Sequence, residues 1–236
     1  LALDLEGNVY VLGLTPPSVF KIEPDGKTSL VLDETGVQGH AFQSPSKIVI
    51  DSANNKYVGS SSAIFKIPSF GETTVHLDFN PDLDLYKGVT HLQVDDFGNL
   101  YFIKGSGYSE LYRYSVSNGL ERVLGLEGDG TGEIECLKQG DREHDPWICT
   151  GYGNYSDLIV GTHIDDAQNI YIASRESRKI FRVTPTNLVS EVADLSTIEN
   201  FNFERLDSFM MDSVGNLYLV HSKVSGSGIS IFSYSP

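Results

Sequence analysis

The chain has 236 residues and a net charge of −15, with 32 acidic side chains against 17 basic ones. That length suits one large all-β domain, and the acidity removes the basic footprint of nucleic-acid binding and disfavours anionic membrane surfaces. No apolar run approaches the roughly 18 residues of a membrane-spanning helix, so no membrane span is expected.

The first element is the apolar run Leu1-Ala2-Leu3, which stops at Asp4. It is shorter than its later counterparts, so the first strand reads as clipped and the chain as a mature or partial one. Asp4 opens a phrase, Asp-x-x-Gly-Asn-x-Tyr, that ends at Tyr10 and returns at Asp51, Asp95, Asp165 and Asp212. The Asp, Asn and Tyr are kept in all five copies. An apolar run precedes each phrase and another follows it, which is the pattern of a hairpin. The Asp accepts backbone N–H bonds of the turn it opens, and the fourth position needs a left-handed backbone. Gly7, Asn54, Gly98 and Gly215 suit that position; Gln168 departs from it, so the fourth turn is expected to be strained or differently shaped. A carboxylate repeated in every unit is a turn device, and these five are not read as metal ligands.

After each hairpin comes a third run centred on an aromatic ring: Phe20, Phe65, Tyr112, Phe181 and Phe232. A fourth follows in four units, as at 29–32, 73–77, 120–124 and 188–192. The phrases are spaced by 47, 44, 70 and 47 residues, a period that indicates propeller blades of four antiparallel strands. The expected fold class is therefore an all-β, β-propeller chain. Its five blades cover about 1–34, 46–79, 90–126, 157–195 and 206–236. The fifth lacks its outer strand, and a sixth blade is admitted if one is missing or degenerate.

The long interval contains an inserted loop over 127–156, with both cysteines, Cys136 and Cys149, and the sequon at Asn154. A local disulfide, glycosylation of Asn154 and an extracellular setting are expected together. The stretch 127–133 lacks the ligand spacing of an EF-hand.

A site is expected among the interblade loops, at 35–46, 80–90, 125–160 and 196–208, where Phe42, Tyr86, Trp147, Phe201 and Phe203 stand. Two residues before each phrase the inner strands carry Ala2, Val49, Gln93, His163 and Met210. Together with His91 these make the third and fourth units polar near the axis. The candidate ligand-binding residues are Phe42, His91, Gln93, Trp147, His163, Phe203 and Met210. A trapped-water lining is the competing reading. His91 and His163 with Asp207 are also a set of metal-binding chemistry. No nucleophile elbow, phosphate loop or HExxH zinc motif is present, and no catalytic residue is assigned.

The pattern apolar–Asp-x-x-Gly-Asn-apolar-Tyr–apolar resembles NHL and SMP-30-like propeller repeats over essentially the whole chain. A weaker likeness, through Leu1-Ala2-Leu3-Asp4 and Ala63-Ile64-Phe65-Lys66, is to secreted insect pigment-binding proteins of the ommochrome-binding type. The SMP-30-like resemblance implies a divalent cation on an axial Glu/Asn/Asp set, which no positions here match residue by residue. Three functions stay open: a secreted module binding a small aromatic or pigment-like ligand, a metal-dependent hydrolase or lactonase, and a platform for an extracellular protein partner.

Overall fold

The structure is a computed structural model that describes all residues except 80–88, 105–109, 125–134, 138–147, 151–158, 175–177, 187, 199–205, 213, 223–228 and 235–236. Blade 1 comprises β1 (Ala2–Leu3), β2 (Val9–Leu14), β3 (Pro17–Ile22) and β4 (Thr28–Leu32). Blade 2 comprises β5 (Lys47–Ile50), β6 (Lys56–Gly59), β7 (Ala63–Ile67) and β8 (Thr74–Asp78). Blade 3 comprises β9 (Val89–Val94), β10 (Leu100–Lys104), β11 (Glu110–Ser115) and β12 (Gly119–Leu124). A separate hairpin, β13 (Glu135–Leu137) with β14 (Ile148–Thr150), lies in the inserted segment. Blade 4 comprises β15 (Ile159–Ile164), β16 (Ile170–Ser174), β17 (Lys179–Val183) and β18 (Val189–Asp194). Blade 5 comprises β19 (Leu206–Met211), β20 (Leu217–Ser222) and β21 (Ile229–Tyr234).

Each blade is an antiparallel sheet in chain order, four-stranded in blades 1 to 4 and three-stranded in blade 5. Successive sheets of this kind are the blades of a β-propeller, and five are seen among the described residues. The outer strand expected to be missing from blade 5 is indeed not among its strands. The chain forms two compact units: one holds blades 1 to 3 up to Glu121, the other blades 4 and 5 with the inserted hairpin. Among the described residues no helix is long and apolar enough to cross a membrane.

The phrase builds the same turn in all five blades. The backbone N–H of the fourth residue donates to the Asp carbonyl, at Gly7, Asn54, Gly98, Gln168 and Gly215 alike. The Asp side chain then accepts the Asn N–H at 2.8 Å in every copy. The Asn amide closes the ring by donating to the same carboxylate. The Tyr does more than pack. Its hydroxyl donates to the carboxylate in blades 2 to 5, at 3.0–3.3 Å.

Gln168 makes the standard turn, not a different one: its φ is +62° and its backbone bond matches the others. The departure appears as conformational cost alone, because a side chain in the left-handed region crowds the following carbonyl. Gln168→Gly is expected to raise stability by about 0.5–1 kcal/mol in urea denaturation. A loss of stability would contradict this reading of the turn.

Cross-strand register gives each blade two faces. The leading face holds the residues one and three before the phrase; the trailing face holds the residue two before it and the phrase Tyr. Within the first unit, Tyr10, Val19 and Leu32 on the trailing side of blade 1 pack with Ile48, Val58 and Phe65 on the leading side of blade 2. Tyr57 and Ile64 of blade 2 likewise pack with Leu92, Leu100 and Phe102 of blade 3. Within the second unit, Tyr171, Ala173 and Ile180 of blade 4 pack with Phe209, Leu217 and Leu219 of blade 5. Gly161 is required there, because a Cβ would lie 2.8 Å from the Phe209 ring.

His76, on β8, sits edge-on between the Tyr57 and Tyr114 rings at centroid distances of 5.0 and 5.4 Å. Its buried Nε2 has no hydrogen-bond partner among the described residues. Burial, helped by the Lys66 charge and opposed by Asp51, holds its pKa below the usual histidine value. The unfolded chain therefore binds the extra proton first, and stability is lost as pH falls through 6.5 toward the folded value. His76→Phe keeps the ring contacts and removes the titration. Its unfolding free energy is expected to fall less than that of the parent between about pH 7 and 5. An unchanged slope would mean that His76 binds its proton equally readily in the folded and unfolded chain.

Candidate functional site

A cleft of about 420 Å3 opens in the second unit, against the phrase turns of blades 4 and 5. His163, Asp165, Asp166 and Tyr171 line it from blade 4, and Met211, Asp212 and Gly215 from blade 5. β15 delivers His163 and β16 delivers Tyr171, which face each other in register with ring centroids 6.2 Å apart. β19 packs beside β15 and brings Met211 to the same place.

The charges in the cleft are set by the turns. Burial pushes the Asp165 carboxyl up, but hydrogen bonds from Asn169, Tyr171 and the Ala167 N–H outweigh it and hold the pKa below the usual value. Asp212 is held low in the same way by Asn216, Val214 and Tyr218. Both are ionised at neutral pH and largely occupied within their turns. Asp166 is exposed and also lines the cleft. His163 is pulled below the usual histidine range by burial, with Asp165 and Asp166 pulling the other way. Its imidazole is neutral at pH 7, with both a donor and an acceptor nitrogen. The arrangement offers two rings, a thioether and a polar, acidic rim.

His163 is the expected site residue that lines this cleft. Met210 does not line it; its neighbour Met211 does, because β19 turns the two side chains to opposite faces. His91 and Gln93 lie on β9 in the first unit, opposite Ile103 and Tyr101. Phe42 is fully buried, edge-on to Phe65 at 5.4 Å, and its ring serves the blade 1–2 core rather than a ligand. Trp147, Phe203, Tyr86, Phe201 and Asn154 lie outside the described residues. Cys136 and Cys149 are register partners in the β13–β14 hairpin, so the inserted segment contains paired strands rather than loop alone.

The cleft also sits at the other strand ends from those expected. β15 enters from the interblade loop at Ile159 and reaches the cleft at Ile164. The lining comes from the phrase turns that follow β15 and β19, not from the strand ends that the interblade segments lead into. Tyr171, Asp166 and Met211 were not singled out from sequence: the first was hidden in the repeat and the third looked like core. Among the described residues no three His, Cys, Asp or Glu side chains converge to hold a metal ion.

No protein-family profile matches the chain, and no curated protein matches it by sequence. Solved structures do resemble it. Virginiamycin B lyase from Staphylococcus aureus matches 98% of this chain and 68% of its own, at 12% identity and a TM-score of 0.60. A gluconolactonase from Xanthomonas campestris matches 96% of this chain and 69% of its own, at 14% identity and a TM-score of 0.59. The calcium-binding protein regucalcin from Agrobacterium tumefaciens matches 92% of this chain and 64% of its own, at 12% identity and a TM-score of 0.57. The chain therefore spans about two thirds of the length of these neighbours. At such identities the likeness establishes the fold alone: a β-propeller.

Proposed function

We propose that the chain is a binding protein for a small, planar aromatic ligand seated in the cleft of blades 4 and 5. The observation that carries this reading is His163. It breaks the apolar habit of its repeat position, where Ala2, Val49 and Met210 stand in three other blades, and it lines a cleft of ligand size. The Tyr171 and Met211 side chains supply apolar surface, and Asp166 with the neutral imidazole supplies hydrogen-bonding partners for the ligand's polar end. Secretion is part of the proposal, supported by the sequon at Asn154 and by the facing cysteines of β13 and β14.

The test is to isolate the protein from its natural source, release whatever small molecule it carries, and measure rebinding by calorimetry. His163→Ala is expected to weaken binding about tenfold or more, as truncation of a buried contact residue does. Unchanged affinity would reject the site.

A lactonase or related hydrolase requiring a divalent cation is the second reading. It draws on the likeness to proteins described as a gluconolactonase and as calcium-binding regucalcin. Stoichiometric metal in the isolated protein, with lactone hydrolysis lost on chelation, would favour it over the binding protein.

A further inference from the structure

Between blades 1 and 2 the phrase turns hold a cation of the chain's own. Lys56 enters from blade 2, and its Nζ lies 3.6 Å from the Asp4 carboxylate of blade 1, donates to the Asn54 carbonyl at 2.8 Å and stands 4.9 Å from the Tyr10 ring centroid. A carboxylate, a carbonyl and an aromatic ring together seat an ammonium group away from water. The repeat places the same features between blades 4 and 5. Asp165 and Tyr171 stand where Asp4 and Tyr10 do, Gly215 stands where Asn54 does, and all three line the cleft. The residue at the position of Lys56 is Leu217, which is buried and carries no charge.

The rest of the cleft has the same sign. Asp166 and Asp212 line it too, and no lysine or arginine does among the described residues. The hydrogen bonds of the turn go to Asp165 rather than to Asp166. Arg182, the register partner of Tyr171, is bound to the Tyr171 hydroxyl. His163 adds no positive charge at pH 7, since burial keeps its imidazole neutral. The carboxylates are not gathered on one point: among the described residues no three His, Cys, Asp or Glu side chains converge as a metal ion requires. A negative rim over apolar side chains suits a larger, organic cation.

We propose that the ligand is a planar aromatic amine, protonated at neutral pH. Its ammonium group takes the place equivalent to that of Lys56, against Asp165, Gly215 and the Tyr171 ring, with Asp166 beside it. Its ring lies on Met211 and His163. The proposal rests on the reading of the cleft as a binding site and adds the charge of what enters it.

Tryptamine, indole-3-acetate and 3-methylindole are the probes: one bicyclic ring with a positive, a negative and no charge. Each is titrated to about 10 mM into protein labelled at its methionine methyls. Tryptamine is expected to shift the Met211 signal and to bind about tenfold more tightly than 3-methylindole, with indole-3-acetate weakest. Asp166→Asn is expected to weaken tryptamine about two- to fivefold and to leave 3-methylindole unchanged. Glu191→Gln, which removes the same charge on the outer strand β18, should leave all three unchanged. Leu217→Lys supplies the ammonium from the chain itself and should reduce tryptamine binding about tenfold or more. Its melting temperature is measured alongside; if it does not fold, the exposed change Asp166→Asn is decisive. Tryptamine that binds no better than 3-methylindole, or not at all by about 10 mM, overturns the amine. So does a folded Leu217→Lys that binds tryptamine as before, and so does Glu191→Gln weakening it as much as Asp166→Asn, the mark of net charge alone. If 3-methylindole shifts Met211 while tryptamine gains nothing, the cleft stands and only the amine falls. If the probes bind and Met211 never moves, the cleft falls with it.

Discussion

Asp95→Ala is expected to cost about 3–4 kcal/mol of unfolding free energy, among the largest effects of any single substitution outside the apolar core. Asp95 is almost fully buried and accepts four hydrogen bonds. They come from the Phe97 and Asn99 backbone N–H groups, the Asn99 amide and the Tyr101 hydroxyl, at 2.8–3.3 Å. Removing the carboxylate leaves four donors without an acceptor, two of them backbone groups held by the turn itself. Each net bond to a charged acceptor is worth about 1.5–3 kcal/mol, but the four act as one unit and do not add. Asp95→Asn retains one oxygen and is expected to recover roughly half of the loss. Asp96→Ala, on the exposed neighbour, should change stability by less than about 0.5 kcal/mol. Urea denaturation of the three variants checks the set. A stable Asp95→Ala protein would mean that the repeated carboxylate has a purpose other than closing its turn.

Lys56→Met is expected to cost about 2–3 kcal/mol, for a different reason. The position before the phrase Tyr is apolar in the other blades, at Val9, Leu100, Ile170 and Leu217. Lys56 instead lies buried on the leading face of blade 2 and reaches into blade 1. Its Nζ is 3.6 Å from Asp4, donates to the Asn54 carbonyl at 2.8 Å and stands 4.9 Å from the Tyr10 ring centroid. Breaking a buried pair by removing one partner strands the other charge. Asp4 keeps its bonds from Asn8 and Glu6, which softens the penalty below that of a bare buried charge. Burial pushes the Asp4 carboxyl up, yet those bonds and Lys56 together hold its pKa low. Burial, then the Asp4 carboxylate and the Glu6 charge, push Tyr10 up to about 12. Stability due to Asp4 is present above 3.8 and lost as pH falls through the lower folded value. The double variant Lys56→Met, Asp4→Asn should recover at least part of the loss, since no unpaired charge remains. If the double variant is as unstable as the sum of the singles, the two residues are not coupled.

The five phrases made the blades readable from the sequence, because one turn needs the same four chemical features each time. The three-stranded blade 5 was readable too, from the few residues that follow Phe232. The tyrosines were read as packing rings; their hydroxyls could not be assigned a partner until the strand after the turn was seen to bring them back over the Asp. Phe42 looked like an exposed loop ring because a loop's sequence says nothing about which way it folds; it turned inward onto Phe65. His163 was legible as a departure from its repeat. Which end of its strand opened into a cleft was not, because the two-residue period distinguishes the faces of a strand but not its ends. Lys56 was missed although it breaks the same kind of regularity as His163.

The most direct test uses the two methionines, Met210 and Met211, which are the only ones in the chain. Met211 lines the cleft and Met210 lies on the other face of β19. With 13C-methyl methionine the protein gives two methyl signals, to be followed while the small molecule carried by the natural protein is titrated in. A ligand seated beside His163 shifts the Met211 signal and leaves Met210 in place. A titration that moves Met210 and leaves Met211 unchanged, or that binds without moving either, would contradict the placement of the site.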